Sequence, residues 1–232
     1  MNPLPVVTID GPSGAGKGTI SRLLAARVGW HLLDSGALYR LVALAGAGHL
    51  APDDVSGHSA LAGTMRVRFA SRADGSELIL LDEADVTDRL RSEEAGMGAS
   101  RVAAWPPVRA ALLQRQRDFA RAPGLVADGR DMGTVVFPAA SLKIYLTASP
   151  EERAQRRYKQ LKLKGSAVTL AALSREIADR DRQDSSRSVA PLVPASDAIV
   201  LDSTGHTIAE MVDRVHQLGA GRQLWSSTTA KS

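Results

Sequence analysis

The segment GPSGAGKGT, residues 11–19, constrains the fold of this chain more than any other segment. It follows a short apolar, β-branched run that ends at Asp10, which is typical of a buried strand. It leads into residues 17–28, where the apolar side chains have helical spacing. Glycines in such a turn let several backbone N–H groups face one point, and the start of the helix adds its positive end. The order strand, glycine-rich loop, helix therefore predicts a phosphate-binding loop.

The side chains of this loop predict how a nucleotide is held. Lys17 supplies a compact positive charge for β- and γ-phosphates. The next position, usually Ser or Thr, is Gly18, and Thr19 offers a hydroxyl one residue later. Mg²⁺ would then rest mainly on phosphate oxygens and water, which suits its reluctance to dehydrate. The predicted nucleotide-binding residues are Gly11, Pro12, Ser13, Gly14, Ala15, Gly16, Lys17, Gly18 and Thr19.

The remaining apolar runs predict an α/β fold. Strand-like runs at 31–34, 124–128, 142–147 and 198–202 alternate with helical patterns at 37–47, 150–164, 170 to about 187, and 208–218. Five strands that alternate with helices are typical of a doubly wound parallel sheet.

A long interval, residues 35–123, separates the second and third of these strands. A loop of that length without structure of its own is implausible inside a compact domain. Runs at 65–69, 77–81 and 84–87 are strand-like, Asp74-Gly75 is a hairpin signal, and 108–121 has helical spacing. The interval therefore predicts an inserted subdomain with a small antiparallel sheet.

Composition limits the class of protein. The chain has 232 residues and no cysteine, which excludes disulfides and thiolate metal sites. A net charge of +4 suits anionic partners, but an aromatic content of 4% disfavours a long base-stacking surface. No apolar run approaches the ~18 residues of a membrane helix, and the first residues lack the basic start of a signal peptide. We expect a soluble cytoplasmic protein without membrane or nucleic-acid partners.

Four motifs together resemble the bacterial cytidylate kinases, a family of nucleoside monophosphate kinases. They are GPSGAGKGT, LLDSGALYR (32–40), ADGRDMGTVVFP (127–138) and VAPLVP (189–194). The resemblance extends from about residue 6 to about residue 218. It implies an enzyme that uses ATP and Mg²⁺ to phosphorylate CMP, with dCMP as a second acceptor. We expect the protein to be a monomer.

The resemblance also implies a division of the chain. The phosphate-loop core would comprise 1–34, 124–150 and 188–220, with a region that binds the monophosphate at 35–123. Residues 151–187 would form a helical lid and the helix after it, and 221–232 a flexible tail.

Transfer of a phosphoryl group between two anions requires cations around the transferring group. In open α/β sheets such groups are expected where the carboxyl ends of the strands open. The resemblance implies the following catalytic residues: Lys17, Arg130, Arg153, Arg157 and Arg187. It implies the following CMP-binding residues: Ser35, Arg40, Ser100, Arg109, Arg130, Asp131, Arg180, Asp184 and Arg187.

The base-reading residues follow from the edge that cytosine presents. Its N4 amino group donates, whereas N3 and O2 accept. The resemblance implies that Asp131 accepts from N4 and that Arg109, with Ser100 nearby, donates toward N3 and O2. In uracil the Asp131 carboxylate would face the lone pairs of O4, and a buried mismatch of this kind discriminates strongly. Asp184 is implied to accept from the ribose.

Several of these residues have alternative interpretations. Arg153, Arg156 and Arg157 share one helix face, as a solvated surface or a nucleic-acid patch would also require. The spacing of Arg180 and Asp184 equally fits an ordinary helix salt bridge. Asp128, the predicted acid that contacts Mg²⁺ through water, ends a strand and would also serve as a helix cap or turn residue.

Other functions were weighed against the same residues. UMP or a non-nucleotide small molecule is the alternative acceptor. A nucleic-acid-binding module would show affinity that falls steeply with salt. A regulatory GTPase reads guanine through Asn-Lys-x-Asp, and the sole asparagine of this chain is Asn2. No cluster of His or acidic residues has the spacing of a metal site, so Mg²⁺ is expected to arrive with ATP.

Overall fold

The computed structural model describes residues 4–72, 77–163, 165 and 167–225. Within these residues the strands are β1 (Val6–Asp10), β2 (His31–Asp34), β3 (Val67–Ser71), β4 (Glu77–Leu81), β5 (Ala84–Asp85), β6 (Leu125–Gly129), β7 (Leu142–Thr147) and β8 (Ile199–Asp202). The helices are α1 (Lys17–Val28), α2 (Ser35–Gly46), α3 (Val55–Thr64), α4 (Thr87–Leu90), α5 (Glu93–Val102), α6 (Pro106–Arg117), α7 (Pro150–Leu163), α8 (Leu170–Ser185) and α9 (Ile208–Gly221), with a π-helical turn at Met132–Val136.

The chain divides into two compact units. The first is formed by residues 1–34 and 117–232, and the second by residues 35–116. The region predicted to bind the monophosphate ends at residue 123, whereas the second unit ends at Gln116 and residues 117–123 belong to the first unit.

A five-stranded parallel sheet forms the centre of the first unit, in the order β2-β6-β1-β7-β8. The chain leaves the central strand β1 toward one edge and later returns to build the other edge, so the predicted doubly wound sheet is confirmed. Every residue of β1 and β6 is buried, as expected for parallel strands that are covered on both faces. Ile20 and Leu24 of α1 pack into this core beside Val7 and Ile9.

The order of the strands places three carboxylates at one edge of the sheet. Asp10, Asp34 and Asp128 lie at or near the carboxyl ends of β1, β2 and β6. Asp34 is in register with Asp128, and Asp10 with Gly129. In open α/β sheets ligands bind outside this edge.

The second unit contains the three-stranded antiparallel sheet β3-β4-β5, which confirms the small sheet predicted from sequence. β3 begins two residues later than predicted and β5 ends at Asp85. The predicted turn Asp74-Gly75 lies outside the described residues. α2 and α5 approach each other closely, because a Cβ added to Gly98 would lie 2.8 Å from the Cβ of Ala43.

Four elements were not predicted from the sequence: α3, α4, α5 and the π-helical turn. α3 begins after Asp54, whose side chain accepts from the Gly57 N–H, and α5 begins after Ser92, whose side chain accepts from the Ala95 N–H. Both residues are ordinary N-cap signals that were available in the sequence. The π-helical turn has no comparable sequence signal.

The end of the described chain packs against the first unit. The ring of Trp225 meets that of Trp30 edge-on, with centroids 5.1 Å apart, and its Nε1–H donates to the His216 carbonyl at 3.1 Å. Leu224 and Trp225 of the predicted flexible tail therefore pack against the core, and residues 226–232 lie outside the described residues. Among the described helices, none combines the length and apolar character needed to cross a membrane.

Candidate active site

The loop between β1 and α1 has the form that a phosphate-binding loop requires. At Gly11 the backbone has φ +147°, and a Cβ would lie 1.9 Å from the carbonyl oxygen of Leu146. No side chain fits in that space, so glycine is required there. Lys17 opens α1 and is 6% exposed, and its Nζ donates to the Pro12 carbonyl of the same loop at 2.9 Å.

Two arginines of α7 hold the outer side of this loop. Arg153 donates to the Ser13 carbonyl at 3.1 Å and forms a bidentate pair with Asp181 at 3.0 and 2.6 Å. Arg156 donates to the Ala15 carbonyl at 3.4 Å. In a trans peptide the N–H points opposite to the C=O. The N–H groups of the residues that follow Ser13 and Ala15 therefore point away from the arginines.

Ser203, which directly follows β8, completes this support. Its buried hydroxyl lies 3.1 Å from the Ala15 carbonyl oxygen and 3.0 Å from that of Thr147. Arg156 donates to the Ser203 hydroxyl at 3.0 Å and to its carbonyl at 2.6 Å. Arg153 and Arg156 thus bind the backbone of the loop. Arg157 lies half-buried on the same helix.

Asp128 lies against the first turn of α1. A Cβ added to Gly18 would be 3.2 Å from its Oδ2 atom. The missing side chain at position 18 thus leaves space for this carboxylate. Burial raises the pKa of Asp128 to about 7, Lys17 opposes the rise, and the neighbouring Asp34 adds to it.

Lys17 occupies a mixed electrostatic environment. Burial lowers its pKa to about 7, Arg130 lowers it further, and Asp128 and Asp10 oppose the change. The lysine is thus held between acids and an arginine at the edge of the sheet where the loop begins. Burial thus lowers the pKa of Lys17 and raises that of Asp128, so both shifts disfavour the charged forms.

Arg130, Asp184 and Arg187 form a buried charged cluster. Nε of Arg130 donates to Asp184 at 2.8 Å, and Arg187 donates to the other oxygen of the same carboxylate. Burial alone would raise the pKa of Asp184, but the two arginines lower it, with a smaller contribution from Arg180. Because α8 ends at Ser185, Arg187 lies beyond the helix that was predicted to contain it.

Asp131 precedes the π-helical turn and is 3% exposed. Its carbonyl accepts from the N–H groups of Val135 at 2.9 Å and Val136 at 3.2 Å. The turn therefore starts directly at this residue and fixes its backbone.

The other predicted acceptor residues lie in the second unit. Ser35 donates to the buried Gln116 at 2.7 Å. Arg40 donates to the Leu90 carbonyl at 2.8 Å. Arg109, which is 8% exposed, donates to the Ala103 carbonyl at 3.1 Å, and its guanidinium carbon lies 5.7 Å from the ring centroid of Tyr39. Ser100 is buried on α5. The predicted acceptor residues are thus distributed over both units.

Sequence reasoning missed several residues of this site. Asp10 had a signal, since it ends the strand that leads into the phosphate loop. Arg156 was named with Arg153 and Arg157 on one basic helix face, but its contact with the loop was not predicted. Ser203 and Asp181 carried no signal, because their roles depend on how β8 and α8 approach α7.

The carboxylates and hydroxyls at this edge are compatible with Mg²⁺. Magnesium prefers oxygen ligands and retains water, and Asp128 and the exposed Thr19 supply oxygens at the first turn of α1. Among the described residues, however, no group of three acidic, His or Cys side chains is placed to hold a metal ion.

A phosphate loop after the central strand, with acids and arginines at the carboxyl ends of the neighbouring strands, defines a nucleotide-binding protein of the phosphate-loop class. The family model for cytidylate kinase matches residues 7–220. The chain belongs to the cytidylate kinase family.

Curated relatives agree with this assignment over nearly their full length. The chain is 59% identical to a cytidylate kinase of Pseudomonas aeruginosa (strain LESB58) over 91% of this chain and 93% of that one. It is 56% identical to one of Stutzerimonas stutzeri (strain A1501), over 97% and 99%. It is 55% identical to one of Marinomonas sp. (strain MWYL1), over 93% and 95%.

Proposed function

We propose that this protein transfers the γ-phosphoryl group of ATP to CMP, with dCMP as a second acceptor. The observation that carries the proposal is the family match across residues 7–220, because it spans the phosphate loop and the arginine and aspartate residues beside it. The reaction needs little base chemistry, since a phosphate monoester is already largely ionised near neutral pH. The protein's task is to position two anions and to surround the transferring group with cations.

ATP would bind at the loop between β1 and α1. The N–H groups of Gly14 and Gly16, which point away from the bracing arginines, and the positive end of α1 would hold its phosphates. Lys17 would leave the Pro12 carbonyl for the β- and γ-phosphates. The negative charge of the nucleotide raises the pKa of this lysine, so it would be fully charged in the complex.

CMP would be held by the buried charged cluster and by Asp131. Arg130 and Arg187, oriented by Asp184, would bind its phosphate, and Asp131 would accept from the cytosine N4 amino group. Ser35, Arg40, Ser100 and Arg109 of the second unit, together with Arg180, remain proposed CMP-binding residues. Arg157 remains a proposed contact of the transferring phosphate.

For Arg153 the observed contacts favour a supporting role, because its guanidinium already binds the Ser13 carbonyl and Asp181. Mg²⁺, bound mainly through ATP, would neutralise charge on the β- and γ-phosphates, with Asp128 and Thr19 nearby.

The test is an assay of ADP release with Mg·ATP and CMP, dCMP, UMP, AMP or GMP in parallel. Turnover with CMP and dCMP well above the other three is expected. A higher rate with UMP than with CMP would show that UMP, and not CMP, is the acceptor. ATP binding without turnover on any of the five would retain the phosphate loop but overturn the acceptor assignment.

A further inference from the structure

Asp10 makes contacts that the proposed reaction does not use. It ends β1, directly before Gly11, and is 5% exposed. One carboxylate oxygen accepts from the Met132 N–H at 2.9 Å, and the other accepts from the Gly133 N–H at 2.8 Å. Both N–H groups belong to the first residues of the π-helical turn.

These contacts cap the turn at the point where Asp131 enters it. The first N–H groups of a helical turn have no partner within the turn and are commonly satisfied by an acidic side chain. Asp10 satisfies two of them with one carboxylate. Asp131 is held on its carbonyl side by Val135 and Val136 and is followed immediately by the capped residues. The peptide group between Asp131 and Met132 is therefore held at both its C=O and its N–H.

The turn fits closely on the sheet beneath it. A Cβ added to Gly133 would lie 2.9 Å from Oγ1 of Thr8 and 3.2 Å from Cδ of Lys143. The turn has no space to settle closer to the sheet, and the cap opposes movement away from it. Small changes at Asp10 should therefore move the turn and the residue that begins it.

The charges around Asp10 explain why two N–H donors are needed. Burial raises the pKa of Asp10 to about 6, the bonds from Gly133 and Met132 lower it, the nearby Asp131 raises it and Lys17 lowers it. Two buried carboxylates thus lie near each other, and each must be held in place against their mutual repulsion.

We propose that Asp10 is a positioning residue that holds Asp131 for base recognition and so determines the preference for cytosine over uracil. This inference rests on the proposed function, in which Asp131 reads the cytosine N4 amino group. A carboxylate placed correctly accepts from N4 and repels O4 of uracil, and one that is free to shift does neither well.

The variant that tests the inference is Asp10→Asn. Its side chain keeps its shape, but an NH₂ group replaces one acceptor oxygen and faces an N–H donor. The expected result is a fall of about tenfold or more in the ratio of kcat/KM for CMP to kcat/KM for UMP. The KM for ATP should change by less than about threefold, because the observed hydrogen bonds of Asp10 are with the turn and not with the loop.

Ser21→Ala is the matched control. Ser21 lies on α1, is fully buried, and its Oγ has no hydrogen-bond partner among the described residues. This variant should keep the CMP/UMP ratio of the wild type. A loss of stability without a specific role for Asp10 would reduce activity on both acceptors alike.

The outcomes separate the two proposals. Wild-type protein without a preference for CMP over UMP would overturn the proposed function itself. If Asp10→Asn keeps the wild-type preference for CMP over UMP and Asp131→Asn abolishes it, only the role of Asp10 is overturned. If circular dichroism shows that Asp10→Asn does not fold, Asp10→Glu replaces it, since it keeps the charge but displaces the carboxylate. An unchanged ratio in that variant would equally refute the inference.

Discussion

At the scale of single residues, Lys17 concentrates the electrostatics of the site. We expect Lys17→Ala to lower kcat by roughly 10²–10³-fold, the effect of losing one preorganised group that stabilises charge in a transition state. Steady-state kinetics with Mg·ATP and CMP measures this. Arg22→Ala is the control, because it removes an exposed cation from the same helix. Near-normal kcat in Lys17→Ala would contradict the role proposed for this lysine.

Asp128 makes a prediction about stability and pH. Burial raises its pKa from 3.8 to about 7, so between these values the folded protein retains a proton that the unfolded chain releases. Stability therefore falls as the pH rises through this window. Asparagine resembles the neutral carboxyl group and does not ionise in the unfolded chain, so Asp128→Asn should nearly match the wild-type Tm at about pH 4 and exceed it at about pH 8.5.

In a chain of this size, Tm is expected to rise by roughly 2–4 °C for each kcal/mol that the substitution adds to the free energy of unfolding. Thermal unfolding followed by circular dichroism at the two pH values measures it. The exposed Asp53→Asn should show no such pH-dependent difference. A difference between Asp128→Asn and the wild type that is the same at both pH values would refute the electrostatic explanation.

The residues of this site that could be predicted from sequence are those of the glycine-rich loop, because the motif itself specifies a backbone that binds phosphate. Gly11–Thr19 follow a motif, and their loop has the expected form. Asp10 and Ser203 were not predicted, since one acts on a turn more than 120 residues later and the other on the loop from β8. Such partners depend on tertiary contacts that no local spacing reveals. The roles of the individual arginines stay predictions.

At the scale of elements, the support of the loop by α7 and β8 can be tested at Ser203. Ser203→Ala removes the hydroxyl that lies between the Ala15 and Thr147 carbonyls. The loss of one such buried hydrogen bond costs about 1 kcal/mol. Because the bond holds the phosphate loop, we expect the KM for ATP to rise by roughly three- to tenfold and the KM for CMP to change much less.

Titrations of each substrate at saturating levels of the other measure the two KM values. Ser185→Ala, which changes an exposed serine at the end of α8, is the control. A lower Tm with an unchanged KM for ATP would show that Ser203 supports the fold and not the loop.

The elements were predictable to different degrees. β2, β4 and β7 have the predicted bounds, because short β-branched or apolar runs between turns leave little freedom. α8 was predicted too long, since its charged face gives no clear end signal. The π-helical turn at Met132–Val136 was not predictable, because its extra residue per turn is stabilised by Asp10 from a distant strand.

At the scale of the whole molecule, the first unit joins segments that are separated by the insertion of residues 35–116. Trp225 contributes to this unit from the end of the described chain by packing on Trp30. Trp225→Ala should lower the free energy of unfolding by about 1–3 kcal/mol, somewhat less than the loss of a fully buried aromatic ring. At 25 °C, kcat should stay within about twofold of the wild type, since the observed contacts of Trp225 are with Trp30, Gly219 and His216.

Denaturant unfolding measures the free energy, and Trp225→Phe serves as the control. Phenylalanine keeps an aromatic ring against Trp30 but loses the hydrogen bond to the His216 carbonyl, so it should have an intermediate effect. Wild-type stability in Trp225→Ala would show that the packed end of the chain contributes nothing measurable.

The overall architecture was predictable because alternating strand and helix patterns leave few possible topologies. The order β2-β6-β1-β7-β8 follows the doubly wound rule, and the long interval predicted its own small sheet. The boundary of the second unit at Gln116 was not predicted, since α6 continues without a break into residue Arg117.

The attachment of Arg153 and Arg156 to the loop carbonyls has a mechanical consequence for α7. The first two turns of α7 are clamped to the phosphate loop, whereas the part of the helix toward Leu163 lies beyond these contacts and packs against α8. Any bending of the α7–α8 pair during turnover must pivot beyond Arg156, because a pivot before it would pull the Ser13 and Ala15 carbonyls out of place. The loop would then stay rigid while the distal part of the helix moves.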